Sequence, residues 1–291
     1  MSVDTATAAS ALPELPPGWR AVSVSGPGPF VTRAQLEGPG GERVEWTSRR
    51  HRKGLGLLAA RREQRRAILA HASPASWAMA AFFGVGSLCF AVGSFPPYFQ
   101  NVSVAVAAWT FFVGSVFFTT AGYLQFHEVL RAPATVTGTA RAGHLRTLIG
   151  WRPRSIDWWA TAVQLVGTVF FNVSTFAATR AELTLGQTRR LVWAPDVFGS
   201  ICFLVASWLS YAEVNRGILP RGDGSTGWRI AALNLVGSIA FGASAVAARL
   251  LPTTGEVANI TVVNLGTFVG ALCFLAGAAL LPVESSRDRA A

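Results

Sequence analysis

The residues that could do chemistry in this chain are spaced by rule. A hydroxyl follows a recurring glycine at Ser87, Ser115, Thr168, Ser200 and Ser238, and a thiol stands three residues after a glycine at Cys89, Cys202 and Cys273. Acyl transfer would need such a group beside a base. No His or carboxylate neighbours any of them in sequence, and no G-x-S-x-G elbow occurs. Metal or redox chemistry would need Cys and His at ligand spacing, but there is no C-x-x-C, and His51, His71, His127 and His144 are scattered. Phosphate-binding loops, dinucleotide fingerprints and H-E-x-x-H are missing as well. The chain reads as a non-enzyme, with no catalytic residue, no cofactor and no metal, and its cysteines read as small packing residues.

Three polar sets remain. Gln164 and Asn234 each stand three residues before a glycine, and Asn172 and Asn264 add two further amides. Within an apolar bundle such amides either bridge helices, for about 0.6 kcal/mol each, or line a polar path. Glu128, Glu213 and Glu284 each follow a glycine by fourteen residues. Fourteen steps return near the same helix face, so the three acids are expected at one depth. Each would pair with a nearby base such as Arg131 or Arg216, or point inward around an axis. Finally, Arg49, Arg50, Arg52 and Lys53, then Arg61, Arg62, Arg65 and Arg66, precede the first apolar stretch. Beside a bilayer such bases are expected to face anionic headgroups at roughly 1 kcal/mol each, or to serve as an orientation signal alone.

The elements that position these groups are apolar helices. Half of the residues (51%) are hydrophobic and only 14% are charged, against roughly 25% in soluble domains. Six stretches approach or exceed the ~20 residues a helix needs to cross a bilayer: Ser76–Phe95, Ser103–Tyr123, Trp158–Ala178, Pro195–Tyr211, Trp228–Leu250 and Ile260–Leu281. None has an acid or base in its middle. The fold class expected is an all-α integral membrane protein of six transmembrane helices in three tandem two-helix hairpins, at 76–126, 157–214 and 228–283, joined by loops 127–156 and 215–227. A disordered tail (1–29) and a basic region (30–75) precede them, and a short tail (284–291) follows. Within the basic region, Phe30–Leu36 and Arg43–Thr47 flank Gly38-Pro39-Gly40-Gly41, which either forms a small β-hairpin or stays flexible.

The six stretches align on one glycine each: Gly86, Gly114, Gly167, Gly199, Gly237 and Gly270. Four residues on there is always phenylalanine, at Phe90, Phe118, Phe171, Phe203, Phe241 and Phe274. Seven residues on the residue is always small. Lipid tails are as apolar as leucine, so helices in a bilayer associate by close approach at small residues. The seven-residue return to one face makes glycine and phenylalanine a packing seam.

The run Gly86-Ser87-x-x-Phe90-x-x-Gly93-Ser94, followed by Phe112-Val113-Gly114-Ser115-x-x-Phe118, resembles the YrhK-like domain, a small two-helix bacterial membrane module. The pairs around Gly167 and Gly199, and around Gly237 and Gly270, look like diverged copies. The resemblance covers the membrane part alone and implies no activity and no catalytic residue.

A formal charge of +10 comes from 24 Arg and one Lys. It flanks apolar segments instead of forming a nucleic-acid footprint, so the expected partners are the lipid bilayer, chiefly anionic headgroups, and a cytoplasmic protein, with no nucleic acid. The function expected is a scaffold or regulator with a basic cytoplasmic face, the alternative being a transporter or channel for a neutral small solute along a pseudo-threefold axis. Twenty-one of the 25 Lys and Arg fall on one side of the spans, which places both termini in the cytoplasm and the protein in the cell's inner membrane. In a background lacking native cysteines, Ala140→Cys should resist an impermeant thiol reagent in intact cells and react after lysis; labelling from outside would invert the topology.

Overall fold

The computed structural model describes residues 12–59, 71–138, 150–215, 222 and 224–290. Strands β1 (Arg20–Ser25), β2 (Arg33–Glu37), β3 (Arg43–Thr47) and β4 (Leu58–Ala59) form an antiparallel sheet in the order β1-β2-β3-β4. Alternation sets the β2–β3 register: Ala34 faces Trp46 and Leu36 faces Val44, so the apolar residues share one side. Ala34, Leu36 and Trp46 are buried there with Val136. The Gly38–Gly41 turn closes with Gly41 at φ 77°, where a side chain would be strained.

Two sequence expectations change here. The fold is not all-α, and Arg20–Ser25, expected in a disordered tail, is a strand. A register shift between Ala21 and Ser23 turns Ala21 and Val24 onto the same face. Their spacing of three is not the strand period, so the pattern does not read as a strand in sequence.

Thr47 ends β3 and caps α1 (Ser48–Arg52), its hydroxyl accepting from the Arg50 N–H at 3.4 Å. Six long helices follow: α2 (Pro74–Ser94), α3 (Val104–Leu130), α4 (Ile156–Ala178), α5 (Ala194–Asn215), α6 (Thr226–Ala247) and α7 (Ile260–Ala290). Serine caps four of them, Ser73, Ser103, Ser155 and Ser225 each accepting from a backbone N–H three residues on. With the turns before α5, the fourth span runs Leu185–Asn215. All six spans are long and apolar enough to cross a membrane. Their outer faces carry exposed Val85, Leu88, Val92, Val166, Val169, Val236 and Ile239, a surface that suits lipid and not water. The chain is thus a multi-pass membrane protein by length and composition.

The helices overrun several expected ends. α7 continues through Pro282 to Ala290, turning residues 284–290 of the expected tail into helix. The fourth span starts ten residues earlier than expected, at Leu185, through a π-helical stretch Thr188–Trp193. That places Asp196 inside the helix, so the fourth span does carry an interior acid. The Val192 carbonyl in the π-helical stretch accepts from the Ser174 hydroxyl at 2.9 Å.

Each span packs on its sequence neighbours, and α7 packs back on α2, closing a ring. Within successive pairs the glycines oppose one another. A Cβ on Gly86 would lie 3.0 Å from the Gly114 carbonyl oxygen and from Phe118; one on Gly199 would lie 3.1 Å from the Gly167 carbonyl oxygen and 3.0 Å from Phe171; one on Gly270 would lie 3.0 Å from the Gly237 carbonyl oxygen. The three cysteines fill the same seams, with Cys89 against Gly114, Cys202 against Gly167 and Cys273 against Gly237.

The phenylalanines meet on the axis in two triangles. Phe90, Phe171 and Phe241 have ring centroids 6.4, 6.1 and 6.3 Å apart. Phe118, Phe203 and Phe274 lie 6.2, 6.0 and 5.6 Å apart. Contacts of 5.5, 5.0 and 5.6 Å join the triangles within each successive pair of spans.

Gly167→Ala should destabilise the folded protein by about 1–3 kcal/mol, because its Cβ would stand 2.8 Å from the Cys202 Cβ. Gly242→Ala, whose Cβ meets nothing within 4 Å, should leave stability unchanged or raise it by up to ~1 kcal/mol through helix propensity. Thermal unfolding in detergent reads both, and equal effects would contradict the seam.

Candidate functional site

The basic stretch after β3 does not face lipid where it is described. Arg49, Arg52 and Lys53 are spaced i, i+3 and i+4, one face of a helix, and α1 turns that face onto the ends of the long helices. Arg49 Nε donates to Glu284 Oε1 at 2.5 Å, and its Nη1 lies 3.8 Å from Glu213. Arg52 Nη1 donates to Asp157 and lies 3.4 Å from Glu213 Oε2. Lys53 Nζ stands 3.0 Å from Glu284 and 2.6 Å from Asp288. Ser48 Oγ donates to Glu213 Oε1 at 2.6 Å, and Arg50 donates to the Asp288 carbonyl.

The reason for this inward turn is electrostatic. The side chains of Asp157, Glu213 and Glu284 are 3%, 4% and 7% exposed, and a carboxylate so buried costs several kcal/mol unless a base meets it. Burial works against the charge on Arg49 and Arg52, but the Glu284 and Glu213 carboxylates on the first, and Asp157 and Glu213 on the second, outweigh it and raise both pKa values. Arg61, Arg62, Arg65 and Arg66 lie outside the described residues.

On the opposite face of α1, buried His51 packs on Trp46, and its Nε2–H donates to the Pro133 carbonyl at 3.0 Å. Burial lowers its pKa to about 4, so the ring is neutral at pH 7. The short helix thus touches the sheet with one face and the helix ends with the other.

Beneath this plug lies an axial cavity of about 80 Å³, lined by all six long helices. Its far end is Phe83 and Phe274, its walls include Gln125, Gln164, Asn234 and Ser210, and Arg49, Arg52, Lys53, Glu128 and Glu284 surround its mouth. Gln164 Nε2 donates to Gln125 Oε1 at 3.3 Å, and Gly277 leaves room for Asn234, whose Oδ1 lies 2.7 Å from where a Cβ would stand. The volume holds a few waters.

No known protein family, curated protein or solved structure matches this chain.

The three glutamates are brought to one end of the bundle, but their bases are not the neighbours in sequence. Glu284 bonds Arg49, 235 residues away. Glu128 makes no ion pair with Arg131 among the described residues, and Arg216 lies outside them. Of the four amides, Gln164 and Asn234 share the cavity. Asn172 instead donates to Thr119 Oγ1 at 2.8 Å between α3 and α4, and neither it nor Asn264 lines the cavity. The cavity's polar wall therefore includes two of the four amides and not Asn172 or Asn264. The sequence analysis names neither Asp157 nor Asp288; Asp157 has a visible signal as a lone acid just before a span, whereas Asp288 lies seven residues past the expected end of the last span, beyond Glu284. No group of three or more His, Cys, Asp or Glu residues able to hold a metal occurs among the described residues.

Arg52→Ala should cost about 3–5 kcal/mol by leaving Asp157 and Glu213 buried without that base. Adding Asp157→Asn should recover part of the loss. The readout is protease cleavage in residues 12–59 during thermal unfolding, and an Arg52→Ala protein as resistant as wild type would contradict the plug.

Proposed function

We propose that the chain is a non-catalytic membrane scaffold or regulator, made of three diverged copies of one two-helix module. Its small sheet is clamped to the cytoplasmic end of the bundle, in the cell's inner membrane. The observation that carries this reading is the pair of phenylalanine triangles: six rings at contact distance fill the axis at mid-bundle, where a solute path would have to run. The asymmetry of Lys and Arg supports the cytoplasmic placement of both termini. Since Arg49, Arg52 and Lys53 are engaged by acids, contact with anionic lipid falls to Arg61, Arg62, Arg65 and Arg66.

The axial cavity favours a second reading, transport of a small neutral solute, with Gln164 and Asn234 as its polar walls. The two readings part in proteoliposomes. The scaffold predicts no flux of small polar solutes above empty vesicles, in wild type and in Phe203→Ala alike. Saturable uptake by wild type that Gln164→Leu or Asn234→Leu abolishes would replace the scaffold with the transporter.

A further inference from the structure

The cavity contains polar groups that the ionic plug does not use. Every base that α1 and its C-cap bring to the mouth is engaged: Arg49 by Glu284 and Glu213, Arg52 by Asp157 and Glu213, and the C-cap Lys53 by Glu284 and Asp288. The acids are engaged in return, with one exception. Glu128, which lines the cavity, makes no hydrogen bond and no ion pair among the described residues; it feels Arg52 only as a neighbouring charge. Asn234 likewise lines the cavity without a hydrogen bond among the described residues, and the Gln164–Gln125 bond leaves the Gln164 carbonyl oxygen open on the same wall. An enclosed site with a free carboxylate and amide oxygens is rich in acceptors, and it complements a guest that brings N–H donors and a positive charge. Phe83 and Phe274 line the same cavity, and aromatic rings are compatible with a cation stripped of part of its water.

We propose that the axial cavity is a binding site for a small organic cation with N–H donors, of the class of guanidinium or a primary alkylammonium, held by Glu128, Asn234 and Gln164. The volume of about 80 Å³ limits the guest to a few heavy atoms. The plug itself is a precedent within the same molecule: the guanidinium groups of Arg49 and Arg52 already lie on carboxylates of this helix end. Arg289, exposed at the rim, is the one cation there without an acid among the described residues, so it disfavours a cation at the outermost part of the mouth and directs it toward Glu128. Binding of this kind makes the scaffold responsive to a ligand and does not require that the ligand cross the bilayer.

The test is titration calorimetry on the full chain in nanodiscs at fixed ionic strength. Guanidinium and methylammonium should bind saturably in the millimolar range or tighter, while tetramethylammonium, which has no N–H, and sodium should give no saturable heat. Glu128→Gln should weaken guanidinium binding at least tenfold, and Asn234→Leu should weaken it measurably, with the thermal melting profile confirming that each variant is folded. If Glu128→Gln does not fold, the Asn234→Leu titration and the tetramethylammonium comparison decide. Four results would overturn the proposal: no saturable binding of either cation, binding indifferent to both substitutions, urea binding as tightly as guanidinium, or glycine binding more tightly than methylammonium. The last would assign a carboxylate-bearing guest to Arg289.

Discussion

Close backbone approach at glycine is the constraint on which the rest depends. In an apolar solvent a leucine gains nothing by leaving the lipid for a neighbouring helix, so association rests on how near two backbones come. At four of the six seam glycines (Gly86, Gly167, Gly199 and Gly270) the facing glycine's carbonyl oxygen lies 3.0–3.1 Å from where a Cβ would stand, a space that a bare Cα leaves to the neighbouring backbone. The phenylalanine one turn away can then reach past its partner to the axis instead of being held off by side chains. The two triangles follow from that approach, and the helix ends are placed by it. A rigid middle is what makes the carboxylates at one end converge.

That convergence creates a debt of charge that the bundle cannot settle alone. Asp157, Glu213 and Glu284 are buried by the same ring closure that brings them together, and no base within the long helices pairs with them among the described residues. The β3–α1 junction supplies three, on one helical face. The sheet therefore matters to the bundle chiefly as a mount: Trp46 and Leu36 fix the strand, Thr47 fixes where it becomes helix, and the bases arrive at the required angle. His51 holds the reverse side of the same turn against Pro133.

What could be read in the sequence was whatever repeats. Six apolar spans, the glycine–phenylalanine seam and three glutamates at a constant interval are periodic, and period survives without knowledge of the fold. Single features were harder to read. The strand Arg20–Ser25 hides behind a bulge, the N-terminal extension of the fourth span behind a polar π-helical stretch, and the C-terminal turns of α7 behind Pro282. The role of Arg49, Arg52 and Lys53 is hidden for a different reason. A basic run beside a membrane has a ready explanation in lipid, and only long-range placement reveals that acids from the last helix reach it first. The i, i+3, i+4 spacing was visible, but nothing in the sequence says which surface that face meets.

The sequence separation within the plug has a consequence for how the molecule is made. Arg49 and Lys53 precede all six spans, while Glu284 and Asp288 lie 235 residues later. During N-to-C synthesis at about 5–20 residues per second, the bases emerge many seconds before those partners exist. Through that interval they remain solvated charges at the N-terminal side of the first span, the condition under which bases bias the direction of insertion. Once α7 is complete, Arg49 and Lys53 are withdrawn from water onto Glu284 and Asp288. The Arg49 and Lys53 contacts can therefore close only after the last span has been made, whereas Asp157 and Glu213 are available to Arg52 earlier.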